Sequence, residues 1–524
     1  MSTEEFLPDA LKDFIFDLHD SVRTSQIPVE QQNLYNGTFR ELTSKYFEKS
    51  AWPSTEAVSV ECGGDEVFLA VYKELTLRHL HSITRPNGRD RVEGWKVYEA
   101  LFDTIISEAE KENAMNDAPL FLLPEWAFDM MHEFLYQFQG FCQFRTGVFA
   151  NASKYAPGGI SEGKQPPKHI TENLEVLSQN KDAWAVQKVM YYLARFIEIG
   201  SADKAAAAYQ YLAIFAAVTL SRLECLLGDY SSSLSALDTI SSKFIVEPPR
   251  GSDSDVKAMT AEEIVESVFA AKVSMTYHAG VAYLMLRRYK DACNVLGDMC
   301  ATMRRGFKSG VYRKIVGIEQ HTKLYDRMIA LLAIITHVTP SYGLVDESVS
   351  NAVRERHGNQ LSKIEAGEEG YEDLFMYACP KFISPSVPKY EDALTKGSST
   401  GHDAAYKLQI NHFMNEMSNQ QTLMKLRSYM KLYTSISVEK LQKMVQEDDF
   451  ESLLLSYKQK TYQVEDSEDG VVRGSVMDIH YFIKDGIIHV DEAEKQNRFE
   501  TYFMSQIAQS TDIRKNVGSI SVQI

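Results

Sequence analysis

The stretch LMKLRSYMKLY, residues 423–433, opens the part of the chain that decides its fold. Four of its apolar residues recur at helical spacing and share one face of a predicted helix: Leu423, Leu426, Met430 and Tyr433. Ser437 is placed to cap a second short helix, and a third helix is predicted to begin near Asp448. The sequence therefore predicts three short helices in succession.

The stretch VMDIHYFIKDGIIHV, residues 476–490, changes from helical to alternating periodicity. Apolar residues occupy alternate positions, and the Asp-Gly pair at 485–486 supplies a two-residue hairpin turn. Three short helices followed by a hairpin predict a winged-helix module over residues 423–490, and one more amphipathic helix is predicted after it.

Winged helices often bind DNA through the start of the third helix, so the charge at that point tests this function. The residues there are acidic: Glu447, Asp448, Asp449 and Glu451. These carboxylates would face DNA phosphates instead of neutralising them, and residues 423–460 hold only seven basic residues against five acidic ones. The pattern favours a winged helix that contacts protein over one that reads DNA.

The composition indicates a soluble protein of several units. With 524 residues the chain should split into roughly two to four units, and its net charge of -17 makes it a poor general nucleic-acid binder. The acidic Glu4 and Glu5 argue against a signal peptide, and the most apolar run, residues 211–220, is short for a bilayer and predicts a core helix. Six cysteines without a C-x-x-C pair indicate buried, reduced thiols and neither zinc nor disulfides.

Helical periodicity continues through most of the chain, with one internal echo. Residues 223–240 and 282–299 each hold a leucine-rich helix end, a short turn, a tyrosine and a second helix. Their tyrosines, Tyr230 and Tyr289, are further apart than the ~34 residues of a strict tetratricopeptide (TPR) repeat. The echo favours helix pairs stacked in a right-handed, TPR-like solenoid.

Several segments are predicted to lie outside helices. Residues 151–168, 247–255 and 391–403 are rich in Pro, Gly and polar residues, which predicts loops, the first of them mobile. The stretch YACPKFISPSVPKY, residues 377–390, holds three prolines and is predicted to run extended towards the winged helix.

An enzyme finds little support in the sequence. His132-Glu133 begins like a zinc-protease motif, but Tyr136 occupies the position of the second histidine, so two ligands cannot share that face. His79 and His81 are two residues apart on a predicted helix and point in different directions. We therefore predict no catalytic residue, no metal ligand and no cofactor.

A helical-repeat array followed by a winged helix is the plan of the PCI domain, shared by scaffold subunits of the proteasome lid, the COP9 signalosome and translation initiation factor 3. Five stretches resemble the subunit L family of eukaryotic translation initiation factor 3: VFLAVYKELTLRHLHS from Val67, EFLYQFQGFCQFR from Glu133, GVAYLMLRRYKDA from Gly280, LFMYACPKFISPSVPKY from Leu374 and DIHYFIKDGIIHV from Asp478. The resemblance runs over most of the chain and departs from the family at residues 151–168 and 248–255.

Pattern and resemblance together predict a mainly α protein whose solenoid ends in a PCI winged helix. The predicted domains are an N-terminal helical region (1–150), a flexible loop (151–170), TPR-like helical repeats (171–324), a PCI domain (325–490, with the winged helix at 423–490) and a C-terminal helix and tail (491–524).

The resemblance implies a non-catalytic, cytoplasmic scaffold subunit of initiation factor 3 that acts in assembly on the small ribosomal subunit and in messenger RNA recruitment. In that family subunit L pairs with subunit K, lies near the E subunit and joins further PCI and MPN core subunits. These are the expected partners, with an indirect messenger RNA contact and neither membrane nor DNA. Two alternatives stay open: a PCI subunit of the proteasome lid or COP9 signalosome, and a winged-helix nucleic-acid-binding protein.

Two segments are candidate subunit contacts. After the hairpin, an apolar stripe on a polar helix predicts docking either on a partner helix or back onto the winged helix; its residues are Phe499, Tyr502, Phe503 and Ile507. The strand at residues 487–490 is expected at or beside a sheet edge, where a neighbouring subunit can add a strand. Its candidate contact residues are Ile487, Ile488 and Val490.

The most basic window, residues 299–314, offers RNA-contact candidates: Arg304, Arg305, Lys308, Arg313 and Lys314. Phe307 and Tyr312 are interleaved with them, and basic residues among aromatics can hold single-stranded RNA. The alternatives are a solvated face or a surface for a neighbour's carboxylates.

Overall fold

The structure is a computed structural model. It describes residues 7–24, 27–111, 120–202, 205–241, 245–246, 258–314, 317–339, 345–367, 370–395, 404–446, 449–460, 462–467, 470–475, 479–492, 503, 506–507, 509–511 and 513–514. The chain divides into two compact units: unit 1 is Met1–Ile335 with Leu344–Met414, and unit 2 is Thr336–Gly343 with Asn415–Ile524. The five-part domain plan expected from the sequence stays a prediction.

Unit 1 is built mainly from helices. They are α1 Asp9–Arg23, α2 Pro28–Gln32, α3 Phe39–Tyr46, α4 Thr55–Val58, α5 Glu66–Ile83, α6 Gly88–Lys111, α7 Pro124–Ser153, α8 Lys168–Gln179, α9 Val186–Gly200, α10 Ala207–Leu227, α11 Tyr230–Ser241, α12 Ala261–Ser267, α13 Phe269–Met285, α14 Tyr289–Ser309, α15 Ile318–Val338, α16 Glu347–Ala366 and α17 Glu372–Ala378. A π-helix, Asn33–Thr38, joins α2 to α3, and 3-10 helices span Val311–Lys314 and Tyr390–Asp392. The prediction of a mainly helical chain is confirmed.

A short hairpin interrupts the helices of unit 1. Strands β1 (Ile245–Val246) and β2 (Met259–Thr260) pair antiparallel. Thr260 then starts α12 with a capping box, in which its hydroxyl accepts from the Glu263 N–H and the Glu263 carboxylate accepts from the Thr260 N–H. The linker predicted at 247–255 lies outside the described residues.

Helix α10 lies at the centre of unit 1. Residues 212–218 are between 0 and 2% exposed, and α10 packs against α7, α9, α11 and α13. By length and composition α10 could cross a membrane, but 72% of its apolar window is buried inside the protein. Its apolar surface therefore serves the core, which confirms the core helix predicted at 211–220.

The two segments of the internal echo form equivalent helix pairs. In each pair a residue with positive φ closes the turn, Gly228 (φ 90°) between α10 and α11 and Arg287 (φ 63°) between α13 and α14. Tyr230 and Tyr289 are each the first residue of the second helix, and both are buried. The predicted helix pairs are confirmed.

The loop predicted at 151–168 is shorter in the structure, because α7 continues to Ser153 and α8 begins at Lys168; residues 154–164 between them are a run of turns. Its backbone closes locally, with the Ser161 N–H donating to Lys154 O at 2.8 Å. The flexibility of this loop stays a prediction.

Residues 379–389, which we call the strap, form neither helix nor strand, as their three prolines predict, and pack on the helices of unit 1. The Gln139 side chain donates to Lys381 O at 3.2 Å, and Ile383 N–H donates to Leu226 O at 3.1 Å. Just before the strap, Tyr277 Oη donates to Ala378 O at 2.6 Å. The strap thus contacts α7 and α10, and the residue just before it contacts α13.

Unit 2 begins within α18, Ala404–Met430, which starts in unit 1. The further elements are β3 Ser435–Ser437, α19 Val438–Val445, α20 Phe450–Lys460, β4 Tyr462–Ser467, β5 Gly470–Ser475, β6 Ile479–Lys484 and β7 Ile487–Glu492. β3, β7 and β6 form a three-stranded antiparallel sheet in the order β3-β7-β6, and β4 pairs with β5 in a separate hairpin.

The core of unit 2 uses the stripe that the sequence predicts. Leu423, Leu426 and Met430 of α18 are buried against residues of every other core element: Ile436, Leu441, Phe450, Leu454, Tyr457, Ile479, Tyr481 and Ile488. The predicted hairpin turn is also confirmed, since Asp485 and Gly486 both have positive φ.

Unit 2 differs from the sequence predictions in the length of its first helix and in its strands. The helix predicted at 423–433 is the end of a longer helix that begins at Ala404, because buried Ile410, Phe413 and Met417 already follow helical spacing. Strand β3 and the hairpin β4–β5 were not predicted, because short polar strands carry no apolar alternation. The predicted third helix is confirmed and begins at Phe450, within two residues of the predicted start near Asp448.

Candidate protein-interaction surfaces

Strand β7 lies in the middle of the sheet, which corrects the expectation that residues 487–490 lie at its edge. Ile487 pairs with Ser437 on one side and with Lys484 on the other, and the Val490 N–H donates to Thr434 O at 2.9 Å. The sequence shows the hairpin partner of this strand but not its distant partner β3. Among the described residues, the long edge of the sheet is β6.

The hairpin register shows which backbone groups of β6 point away from β7. In a two-residue hairpin the pair next to the turn, Lys484 with Ile487, exchanges both hydrogen bonds, and bonded pairs then alternate along the ladder. The N–H and C=O groups of Ile479, Tyr481 and Ile483 therefore point outward. They form a template that a further strand can pair with.

The candidate side chains in the hairpin differ in accessibility. Ile488 is 0% exposed, so its side chain serves the core of unit 2 and is not available to a partner. Ile487 is exposed and Val490 is half-buried. Phe482 and Ile483, which the sequence did not single out as contacts, are each about half exposed beside the turn. The apolar contact surface of the hairpin therefore centres on its tip.

The C-terminal stripe is described in part. Phe503 and Ile507 lie in helical residues and are largely exposed, as is Ile513, which the sequence did not indicate. Phe499 and Tyr502 lie outside the described residues. A contact of this stripe with another subunit stays a prediction.

The start of α20 carries described carboxylates at Asp449 and Glu451. The Asp449 side chain accepts from the Ser452 N–H at 3.3 Å and so occupies the end of the helix. Glu447 and Asp448 lie outside the described residues. The charge at this helix end disfavours contact with phosphates.

In the basic window the two aromatic rings are half-buried and pack against neighbouring rings. The Tyr312 ring packs against the Phe269 ring at a tilt of 36° with centroids 4.5 Å apart, and the Phe307 and Tyr325 ring centroids are 5.6 Å apart. Gly306 makes this possible, since a Cβ there would overlap the Tyr312 ring. Because each ring packs against another ring, less of its surface is free to stack on bases, which weakens the RNA interpretation.

The cations of this window are placed differently from one another. Arg305 and Lys308 are exposed, whereas Arg304 is half-buried and hydrogen-bonded to Tyr325. The side chains of Arg313 and Lys314 lie outside the described part of the chain. An RNA contact through these residues stays a prediction.

Unit 1 holds a surface pocket of about 470 Å³ between α3 and α5. Its polar groups bind one another: Arg78 donates to Tyr35 Oη at 2.8 Å, Tyr35 donates to Asp129 at 2.7 Å, and Arg78 Nε lies 2.9 Å from Glu74. Burial raises the pKa of Glu74, although Arg78 beside it acts in the opposite direction. Buried charges are stabilised by opposite charges and hydrogen bonds, which this network supplies. Among the residues that line the pocket, no nucleophile is paired with a base.

The cysteine side chains lie in the protein core. Among the described residues, no three His, Cys, Asp or Glu side chains are grouped so as to hold a metal ion. All six cysteines are buried and unpaired, as predicted. Burial raises the pKa of the Cys142 thiol to about 11, which keeps it protonated and unreactive.

The fold defines a mainly helical protein with a small antiparallel sheet near its C-terminal end. Residues 90–510 match the family described as RNA polymerase I-associated factor PAF67. The chain belongs to this family, and its curated relatives carry the name eukaryotic translation initiation factor 3 subunit L. The resemblance seen in the sequence is therefore confirmed.

The similarity to these relatives extends over nearly the whole chain. The chain is 28% identical to the subunit L of Nematostella vectensis, over 98% of this chain and 94% of the relative. It is 29% identical to the mouse protein and 28% identical to the human protein, in both cases over 98% of this chain and 91% of the relative.

Proposed function

We propose that the chain is a non-catalytic, cytoplasmic scaffold subunit of translation initiation factor 3, in which unit 2 is the winged helix of a PCI domain. The observation that carries this proposal is the order of elements in unit 2. The end of α18, then β3, α19, α20 and the hairpin β6–β7 give three helices followed by a wing, with β3 closing the sheet. The relatives named subunit L support the choice of assembly.

The helices of unit 1 would form the solenoid that precedes the winged helix. The pairs α10/α11 and α13/α14 pack against one another through α10 and α13, which is the nearest-neighbour arrangement of helical repeats. On this proposal the right-handed, TPR-like repeats occupy residues 171–324, and the PCI domain occupies residues 325–490.

The edge strand β6 would join the chain to a neighbouring subunit, which we take to be subunit K. A strand from the neighbour would pair with the outward N–H and C=O groups of Tyr481 and Ile483, while Phe482 would supply apolar contact. The exposed Ile507 on the C-terminal helical residues would add a helix contact in the same assembly. The E subunit and further PCI and MPN subunits are the other proposed neighbours, on the small ribosomal subunit and with messenger RNA contacted indirectly.

Two variants at one position test strand addition. Ile483→Pro removes an N–H that points away from β7, and the side chain is 51% exposed, so unit 2 should keep its fold. Ile483→Thr is the matched control, because it keeps the N–H and the β-branched shape while a hydroxyl replaces the ethyl group. Co-purification of each variant with subunit K should show loss of pairing for proline and retention for threonine.

Undiminished pairing of the proline variant, with a circular dichroism spectrum equal to that of the unchanged chain, would refute strand addition at β6. Ile488→Pro is a poor substitute for this test. Ile488 is buried between Ile436 and Ile483 in the central strand, so proline there should unfold unit 2 itself.

One other assembly is favoured by a specific observation. The description of the matched family names an association with RNA polymerase I. On this alternative the same contact surfaces would bind the chain to RNA polymerase I. The identity of the proteins that co-purify with the chain distinguishes the two assemblies.

A further inference from the structure

Helix α1 carries an exposed phenylalanine on the side opposite its buried face. The buried residues of α1, with Leu18 at the centre of their stripe, pack into the core of unit 1. Phe16 is 60% exposed, and at about 100° per residue it lies about 160° from Leu18 around the helix. Its ring therefore projects away from the core.

Aspartates surround Phe16 on this side of α1. Asp9, Asp13 and Asp20 lie about 20°, 60° and 40° from Phe16 around the helix. Asp9 and Asp13 are exposed, and Asp20 is half-buried. Together the four residues follow the i, i+4, i+7 spacing by which one helix face packs on another helix. We call Phe16 with these three aspartates the Phe16 face.

The cations of α1 pair with carboxylates on other elements instead of with these aspartates. Lys12 Nζ lies 3.6 Å from Glu61, and Arg23 Nε lies 2.7 Å from Asp65. The His19 ring also faces Asp65, at 3.3 Å. Within the described part of the chain, none of the three aspartates of the Phe16 face forms an ion pair. The face is therefore acidic and not neutralised.

The stability of α1 does not account for the Phe16 face. Aspartate has a low helix propensity, and the helix dipole disfavours an anion in the last turn, where Asp20 lies. The exposed Phe16 ring also leaves apolar surface in water that burial would stabilise. Both features become favourable when a surface with cations and an apolar side chain covers the face.

We propose that the Phe16 face binds a basic amphipathic helix of a partner protein, with lysine or arginine side chains on the aspartates and an apolar side chain on the Phe16 ring. Charge complementarity selects this occupant, because the net charge of -17 attracts a cationic segment and repels RNA and anionic lipid. The helical spacing of the face selects a helix over an extended segment. The proposal does not depend on the assembly that the chain joins.

Binding of labelled peptides to the full-length chain tests this assignment by fluorescence anisotropy. The probe is a fluorescein-labelled peptide of lysine and leucine in which the leucines share one helical face. Its counterparts are the same peptide with glutamate for lysine, and a peptide of equal composition whose leucines do not share a face. The probe should bind more tightly than either counterpart, and more weakly as salt is raised. Phe16→Ala should weaken binding by roughly tenfold and Asp13→Asn by roughly threefold.

Two variants elsewhere on the surface are the matched controls. Asp182→Asn removes the same charge as Asp13→Asn from another exposed aspartate, and Tyr191→Ala removes another ring, which is 57% exposed on α9. Both should leave binding unchanged, and melting temperatures will show that all variants are folded. Absence of binding by the probe, equal binding of either counterpart, or an equal loss with the control variants would overturn the proposal. An equal loss with Asp182→Asn would assign the attraction to net charge alone.

Discussion

Gly200 at the end of α9 shows how single residues set the distance between helices. A Cβ at this position would overlap Ala213 and the Tyr209 carbonyl of α10, so α9 and α10 would have to separate. We predict that Gly200→Ala destabilises the chain by about 1–3 kcal/mol through overpacking. Thermal unfolding should show a lower midpoint.

Gly358 offers the matched control within α16. A Cβ there meets nothing within 4 Å. Gly358→Ala should stabilise by up to about 1 kcal/mol through helix propensity alone. Equal midpoints for both variants would contradict the close approach of α9 and α10.

Asp65 links a helix start to a charge from another helix. Its carboxylate caps α5 by accepting from Val67 and Phe68 N–H, and Arg23 Nε donates to it at 2.7 Å. Burial acts to raise the pKa of Asp65, but the Phe68 N–H and the charge of Arg23 outweigh it, so the pKa lies below its usual value. The ionised form is therefore favoured in the folded state, and its stabilisation is present above the unfolded-state value of about 3.9 and is lost as the pH falls through the folded value.

Asp65→Asn should keep the cap and lose the charge. We expect a loss of about 1 kcal/mol near neutral pH, and the difference between the two proteins should shrink below about pH 4. The difference in stability between the two proteins is measured from their urea unfolding midpoints across this pH range. A difference that stays constant with pH would show that the charge of Asp65 contributes nothing.

At the scale of elements, the strap is anchored by the buried hydrogen bond from Tyr277 Oη to Ala378 O, the residue just before it. Tyr277→Phe would leave the Ala378 carbonyl without the Tyr277 hydroxyl, at a cost of about 1–2 kcal/mol. Hydrogen exchange should accelerate at the Ile383 amide, which is bonded to Leu226 O. Tyr377→Phe, at a half-exposed tyrosine, should leave that exchange rate unchanged.

Elements whose signals are local could be predicted from the sequence. The turn at Asp485-Gly486 follows from residue type, and the buried face of α18 at 423–430 follows from helical spacing. The central position of β7 could not be predicted, because its pairing with β3 joins residues far apart in sequence and β3 is a three-residue strand without a pattern of its own. The contact hypothesis therefore moves from β7 to β6.

At the scale of the whole molecule, the long helical array and the family were accessible from the sequence, whereas the surroundings of Tyr136 on α7 were not. Tyr136 entered the sequence analysis only as a residue that breaks a zinc motif. Its two neighbours, Arg91 and Arg222, come from separate helices and meet it only through the packing of α6 and α10 on α7. Sites assembled in this way leave no local sequence signal.

Purification of the tagged full-length chain at moderate salt, with mass-spectrometric quantification of the co-purifying proteins, tests membership of the initiation factor most directly. We predict the subunits of translation initiation factor 3 in near-equal amounts with the chain, subunit K among them. The prediction would be contradicted if the chain purified alone, or if it purified with subunits of RNA polymerase I, the proteasome lid or the signalosome in place of the initiation factor.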